Sequence, residues 1–157
     1  MGASKIIASD IFPKRLDFAR KLGALHVLNA KEVDVVKAIL NLTNGFGTDV
    51  VFDSAGSEQT TQATVKIVRK GGSIVWTGMA PQGEFVFPVS EAIAKEVRIS
   101  GQFRYANTYP MSIQLVSQGR IDVKSMITKT FTFDEIPEAM ESWAKGDPDH
   151  IKAVVRI

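Results

Sequence analysis

The 157-residue sequence contains no cysteine and only two histidines, His26 and His150. Without cysteine there is no disulfide framework and no thiolate metal site. Both histidines read as structural or solvated groups, so no metal-ligating residues are assigned. Long apolar runs are also missing. Mean hydropathy is +0.03, and nothing approaches the ~18–20 residues a membrane span needs. Nor is there an excess of one charge. Nineteen basic and 17 acidic residues give a net +2, and the basic side chains are spread rather than gathered into a stripe. The pI near 8.9 therefore does not mark a nucleic-acid surface. No G-x-S-x-G elbow and no Ser-His-Asp arrangement points to a nucleophilic hydrolase. The first five residues lead straight into a strand-like run, with no secretory signal pattern. These absences give the expectation of a cytoplasmic protein with no membrane or nucleic-acid partner and no catalytic residue of its own.

What is present is an alternation of strand-like and helix-like segments. Residues 5–9 form a β-branched run that stops at Asp10. Pro13 suits a helix first turn, and Gly23 closes that helix. Residues 26–29 read as a strand and 32–42 as a helix, broken by Asn44-Gly45-Phe46-Gly47. A compact strand over 49–53 runs into Ser54-Ala55-Gly56. A helix over 58–68 ends at Lys70-Gly71-Gly72, and a buried strand over 73–77 stops at Gly78. A short strand over 85–87 and a short helix over 88–95 follow the Pro- and Gly-containing loop 80–83. Residues 97–101 alternate as a strand, 110–118 as a helix and 127–133 as a more exposed strand. Asp134 is expected to cap a last helix through Trp143, before a final strand over 153–157. Strands alternating with helices predict an α/β fold with a mainly parallel sheet.

Such sheets bind ligands beyond the carboxyl ends of their strands. Three ends carry informative residues, Asp10, Ser54-Ala55-Gly56 and Thr77-Gly78-Met79, and should line one crevice. An acid at Asp10 can accept hydrogen bonds from a ribose diol and repel a 2′-phosphate, favouring NAD over NADP. Arg15, a turn into the next helix, could reach the adenine side. Asp10 could equally be a helix N-cap. Gly56 and Gly78 would let a flat cofactor approach bare backbone, or would serve tight turns needing positive φ. Thr77 either ends its strand or offers a hydroxyl near a nicotinamide. In Phe103-Arg104-Tyr105 an arginine between aromatics could bind a pyrophosphate or a substrate hydroxyl, or could be an ordinary surface residue.

Taken in order, these motifs resemble the medium-chain dehydrogenase/reductase superfamily, and within it the sorbitol (polyol, xylitol) dehydrogenase branch. Ile6-Ile7-Ala8-Ser9-Asp10 with Arg15-Leu16 is similar to the adenosine-ribose segment of NAD-specific members. Lys21-Leu22-Gly23-Ala24 resembles the family's "lGA" turn. Asp53-Ser54-Ala55-Gly56 resembles a "(D/E)-x-(T/A)-G" strand end, and residues 71–79 resemble the "GG-x-hhhh-G" strand beside the nicotinamide. Residues 101–110, GQFRYANTYP, resemble the polyol branch's "G-x-F-R-Y-x-N-x-(W/Y)-P" segment, its most specific piece.

The resemblance implies that Asp10, Arg15, Ala55, Gly56, Thr77, Gly78, Met79, Phe103 and Arg104 contact NAD, and that Arg104 and Tyr105 face a substrate pocket. The implied activity is oxidation of a secondary alcohol of a polyol to a ketose. The family's zinc would have no ligands in this chain. The strand that begins at Val97 and runs into Phe103 resembles the one that pairs between subunits, implying a homo-oligomer. No G-x-G-x-x-G loop occurs, so the expected fold is an incomplete Rossmann-type doubly wound parallel sheet, lacking the first strand and the glycine-rich loop. Residues 1–157 would then be a partial NAD-binding domain starting at an internal methionine, in which about 120–157 leads back toward a catalytic domain. The missing strand would be central, between the strands ending at Asp10 and Asp53, leaving unpaired backbone there. Two other readings are weighed. For the chain in isolation an inactive nucleotide-binding or oligomerisation fragment is the favoured one; the weaker reading is a zinc-independent, NADPH-preferring reductase, against which Asp10 and the 103–105 segment argue.

Overall fold

The computed structural model describes residues 2–81, 83–146 and 151–157. The chain divides into two compact units: residues up to 31 together with those from 105 onward, and residues 32–104. His150 lies outside the described residues.

In the first unit, strand β1 (Ile7–Asp10) leads into helix α1 (Pro13–Lys21) and strand β2 (His26–Asn29). Pro13 stands at the helix start, where its missing N–H costs nothing. Gly23, at φ +103°, turns the chain back after it. β1 and β2 pair in parallel, Ile7 opposite His26 and Asp10 opposite Asn29. Leu16 and Ala24 are the buried apolar groups here.

In the second unit, helix α2 (Val35–Leu42) precedes strand β3 (Thr48–Asp53), helix α3 (Glu58–Ile67) and strand β4 (Val68–Trp76). Helix α4 (Val89–Ala94) and strand β5 (Arg98–Gly101) complete it. β3, β4 and β5 form one parallel sheet in that order. Val65 and Ile74 are fully buried and Val68 nearly so, with Val51, Ile67 and Ala92 around them. Lys95 ties the unit together. Its Nζ donates to the carbonyls of Val65 (2.7 Å), Lys66 (3.1 Å) and Val68 (3.2 Å), which end α3. A cation is favoured at that end of a helix.

The remaining elements belong to the first unit: helix α5 (Tyr109–Ser117), strand β6 (Ile127–Thr132), a 3-10 turn (Phe133–Glu135), helix α6 (Ile136–Ala144) and strand β7 (Lys152–Arg156). β6 and β7 pair in parallel, with Phe131 buried.

The α/β class and the parallel pairing follow the sequence reading, but the strands lie in three sheets rather than one. Among the described residues, β1 has a strand partner only in β2, and β3 only in β4. Four local expectations differ. Helix α2 begins at Val35 rather than 32, because the Asp34 carboxylate caps it by accepting from Lys37 N (3.0 Å). Strand β4 starts at Val68, directly after α3, and carries Gly71 and Gly72 inside it as a bulge. Residues 85–87 are not a strand. Asp134 does not cap the last helix. Thr132 and Glu135 form a capping box there, with Glu135 Oε2 accepting from Thr132 N (2.7 Å) and Thr132 Oγ1 (2.9 Å).

Candidate active site

The register of the second unit's sheet places three strand ends side by side. Asp53 is opposite Trp76, and Trp76 is opposite Gly101. Parallel strands ending in line send their following segments out of one sheet edge, so 54–56, 77–79 and 102–104 leave together. Gln102 N donates to Trp76 O (2.8 Å), extending the β4–β5 pairing past the strand end.

The first two of these segments are locked to each other. Thr77 N and Gly78 N both donate to Asp53 O, at 2.9 and 3.0 Å. Thr77 Oγ1 donates to the same carbonyl (3.2 Å) and lies 2.7 Å from Ser54 Oγ. Gly56 is buried at φ +66°, and a Cβ on it would fall 2.6 Å from Met79 O. A Cβ on Gly78 would fall 2.3 Å from Gly56 N. Both glycines are therefore required by the mutual approach of two backbone segments, and Gly56 by its left-handed conformation as well. Around this joint Ala55, Thr77 and Met79 are exposed, with Met79 at 71%.

Phe103 and Arg104 follow β5. The Arg104 guanidinium sits 4.9 Å from the centre of the Phe103 ring. Arg104 has φ +57°, uncommon for a residue with a side chain. Phe103 is 63% exposed, so ring and guanidinium stand ready as an open surface.

Asp10 and Arg15 belong to the first unit, as does Tyr105, which packs edge-on against Tyr109 with ring centres 5.5 Å apart. Asp10 closes β1. Its Oδ1 accepts from Phe12 N (2.9 Å), and its Oδ2 lies 3.8 Å from the Arg15 guanidinium. The N-cap of α1 is Phe12, not Asp10. Asp10 instead makes an Asx turn that carries the chain from strand to helix. The structure adds two neighbours that the sequence did not mark. Arg15 lies 4.7 Å, and Lys31 Nζ 5.4 Å, from the centre of the Phe12 ring. The end of β1 thus combines a half-exposed carboxylate, an aromatic face and two cations.

Sequence reasoning also missed what Asp53 and Ser54 do. The signal was present in the quoted Asp53-Ser54-Ala55-Gly56 motif, but apart from Ala55 their partners are eight to 24 residues away. A shallow hollow of about 440 Å³ is lined by Trp76, Phe87, Val89, Ile93, Val97 and Ile99 among others. Among the described residues no group of three His, Cys, Asp or Glu could hold a metal ion. No helix among them is long and apolar enough to cross a membrane.

Comparison with known proteins bears on the family and the fold. The signature of the zinc-binding dehydrogenase family matches residues 1–118. The sorbitol dehydrogenase of Bacillus subtilis is 35% identical over 154 residues, covering 98% of this chain and 44% of that protein. A crystal structure of an oxidoreductase/dehydrogenase of unknown specificity from Escherichia coli superposes with a TM-score of 0.91 at 35% identity, over 99% of this chain and 45% of that one. A zinc-binding dehydrogenase from Sinorhizobium meliloti, solved with NADP bound, superposes with a TM-score of 0.83 at 28% identity, over 88% of this chain and 42% of that one. The chain spans less than half the length of the relatives it matches. The parallel α/β architecture is that of the Rossmann-like cofactor-binding domain of alcohol dehydrogenases.

Proposed function

Because the chain belongs to the zinc-binding dehydrogenase family, we propose that it is the cofactor-binding part of an NAD-linked polyol dehydrogenase. The single observation that carries this reading is the aligned ending of β3, β4 and β5, which gathers Ala55, Gly56, Thr77, Gly78, Met79, Phe103 and Arg104 at one sheet edge. In this reading the backbone of 77–79 and the Thr77 hydroxyl take the nicotinamide. Arg104, braced on Phe103, takes a phosphate or, with Tyr105, a substrate hydroxyl. Asp10 accepts from the adenosine ribose, with Arg15 beside it. NAD held there would supply the hydride acceptor for oxidation of a secondary alcohol to a ketone, the hydroxyl proton being released to solvent.

The sorbitol dehydrogenase relative supports a polyol as substrate. The NADP seen in another relative makes cofactor choice a point to test. The half-exposed Asp10 carboxylate favours NAD, because a 2′-phosphate would meet like charge. The absence of cysteine supports a cytoplasmic setting. Among the described residues β5 has a strand partner on one side only, and Val89, Ile93 and Ile99 are exposed beside it, which supports a homo-oligomer through the open side of β5.

Taken alone, the chain is proposed to bind nucleotide without oxidising polyol, since its described residues offer no zinc site. Titration of the purified chain with NADH and NADPH, followed by tryptophan fluorescence, tests the reading. NADH should bind more tightly than NADPH, and sorbitol or xylitol with NAD and zinc should give no absorbance at the NADH band. Preference for NADPH would remove the role given to Asp10, and turnover would overturn the assignment of an inactive part.

A further inference from the structure

Asp53 is a buried carboxylate, 6% exposed. Among the described residues no cation pairs with it. Burying an unpaired carboxylate is costly unless hydrogen bonds satisfy it. Here both oxygens are used. Oδ1 accepts from Ala55 N (3.1 Å), two residues ahead, and Oδ2 accepts from Thr61 Oγ1 (3.0 Å) on α3. Thr61 is itself buried, and its N–H is bonded to Ser57 O (2.9 Å) in the first turn of α3. The Asp53 main-chain carbonyl meanwhile holds Thr77 N, Gly78 N and Thr77 Oγ1. One residue thus binds the segment after β3 with its side chain and the segment after β4 with its backbone. The Ser54–Thr77 hydroxyl pair and the Gly56–Gly78 contact close the same joint.

We propose that Asp53 is a positioning residue that sets the two segments assigned to the nicotinamide half of the cofactor, without touching the cofactor itself. The proposal rests on the cofactor-binding reading above. The chemistry requires an acceptor for Ala55 N and a partner for the Thr61 hydroxyl in a fixed frame, rather than a negative charge. Asparagine has the same shape. Its Oδ1 can accept from Ala55 N and its Nδ2 can donate to a turned Thr61 hydroxyl, so Asp53→Asn should rescue what Asp53→Ala loses.

The test titrates the full chain and its variants with NADH and with ADP-ribose, which lacks the nicotinamide, and follows amide hydrogen exchange. Asp53→Ala should weaken NADH binding about tenfold more than ADP-ribose binding, the size expected for losing one charged hydrogen bond. It should also speed exchange at Ala55, Thr77 and Gly78 while leaving the β3–β4 ladder protected. Asp53→Asn should restore both. Thr61→Val, which cuts one of the two side-chain links, should give a smaller loss of the same kind and serves if Asp53→Ala does not fold. Equal weakening of both ligands, or unchanged NADH binding, would overturn the proposal. If the unaltered chain binds neither ligand, the cofactor reading fails, and exchange alone decides whether Asp53 holds the joint: uniform acceleration would rule it out, and acceleration confined to Ala55, Thr77 and Gly78 would uphold it.

Discussion

Two aspartates close parallel strands in this molecule, and their surroundings are opposite. Asp10 ends β1 with its side chain 29% exposed and a loose 3.8 Å approach from Arg15. Asp53 ends β3 buried, with both oxygens bonded inside the protein. In sequence the two look alike, each an acid at the end of an apolar run. Their burial separates them. A carboxylate that still has free lone pairs at the surface can meet a ligand. One whose lone pairs are already filled from within can only shape what surrounds it. The same contrast holds for their neighbours. The turn after Asp10 is held by one side-chain bond to Phe12 N, while the segments after Asp53 are held by backbone packed on backbone.

The largest expected effect tests that packing. Gly78→Ala places a Cβ 2.3 Å from Gly56 N, and separating the segments should cost roughly 3 kcal/mol in urea unfolding. Gly101→Ala, with nothing within 4 Å of its Cβ, serves as the control and should cost under about 1 kcal/mol. Equal midpoints for the two variants would mean the joint is looser than described. Next is the direct comparison of the carboxylates. Asp53→Ala should lower stability by roughly 2–3 kcal/mol, and Asp10→Ala by about 1 kcal/mol or less, since its partners can turn to water. Binding separates their roles rather than ranking them. Asp10→Ala should weaken NAD by about 1–3 kcal/mol if the ribose hydroxyls donate to it. A calorimetric dissociation constant unchanged by that substitution would reduce Asp10 to its turn.

The smallest effect concerns a carboxylate that is neither buried nor assigned to a ligand. Bonds from Thr132 N, then from Thr132 Oγ1, hold the Glu135 carboxyl below its ordinary value of 4.5. Its folded value is lower than its unfolded one, so its stabilising contribution is complete above the unfolded value and fades as pH falls through the folded value. Glu135→Gln keeps an acceptor for the cap but cannot titrate. Melting temperatures of this variant should therefore lie slightly below the parent near neutral pH, and should converge on the parent's on acidification to about pH 3. An identical acid limb would show that the cap contributes nothing there.

Much of this was legible along the chain, and the failures have identifiable physical causes. Pro13, Gly23 and the break after Leu42 mark element ends because proline and glycine act through local backbone geometry, which needs no tertiary context. Strands β1, β2, β3 and β5 were visible as short apolar runs. Gly71 and Gly72 were misleading, since glycines that end a helix also make a bulge, and only the pairing with β3 distinguishes the two. Before the last helix, Asp134 and the T-x-x-E spacing from Thr132 to Glu135 are both capping patterns. Two polar residues of capping type, side by side, cannot be ranked without the backbone angles. In the candidate site, the glycines and Thr77 were marked by their position after strands. Asp53 was not, because its role depends on burial and on a helix residue eight positions away. Lys31 was missed for the same kind of reason: the ring it approaches belongs to Phe12, on another element.

The bulge in β4 has one more consequence. Between the pairs Thr48–Val68 and Val50–Ser73, two steps along β3 face five along β4. The extra residues hang outside the regular ladder, braced by Arg69 on Asp49 (2.7 Å) and by Gly71 N on Lys95 O (2.7 Å). They act as an expansion joint. A residue gained or lost between Ile67 and Ser73 can be absorbed there, leaving Ile74 facing inward. The same change between Ser73 and Trp76 would turn every later side chain to the opposite side of the sheet. Length variation upstream is thereby insulated from the end of the strand where the chemistry is assigned.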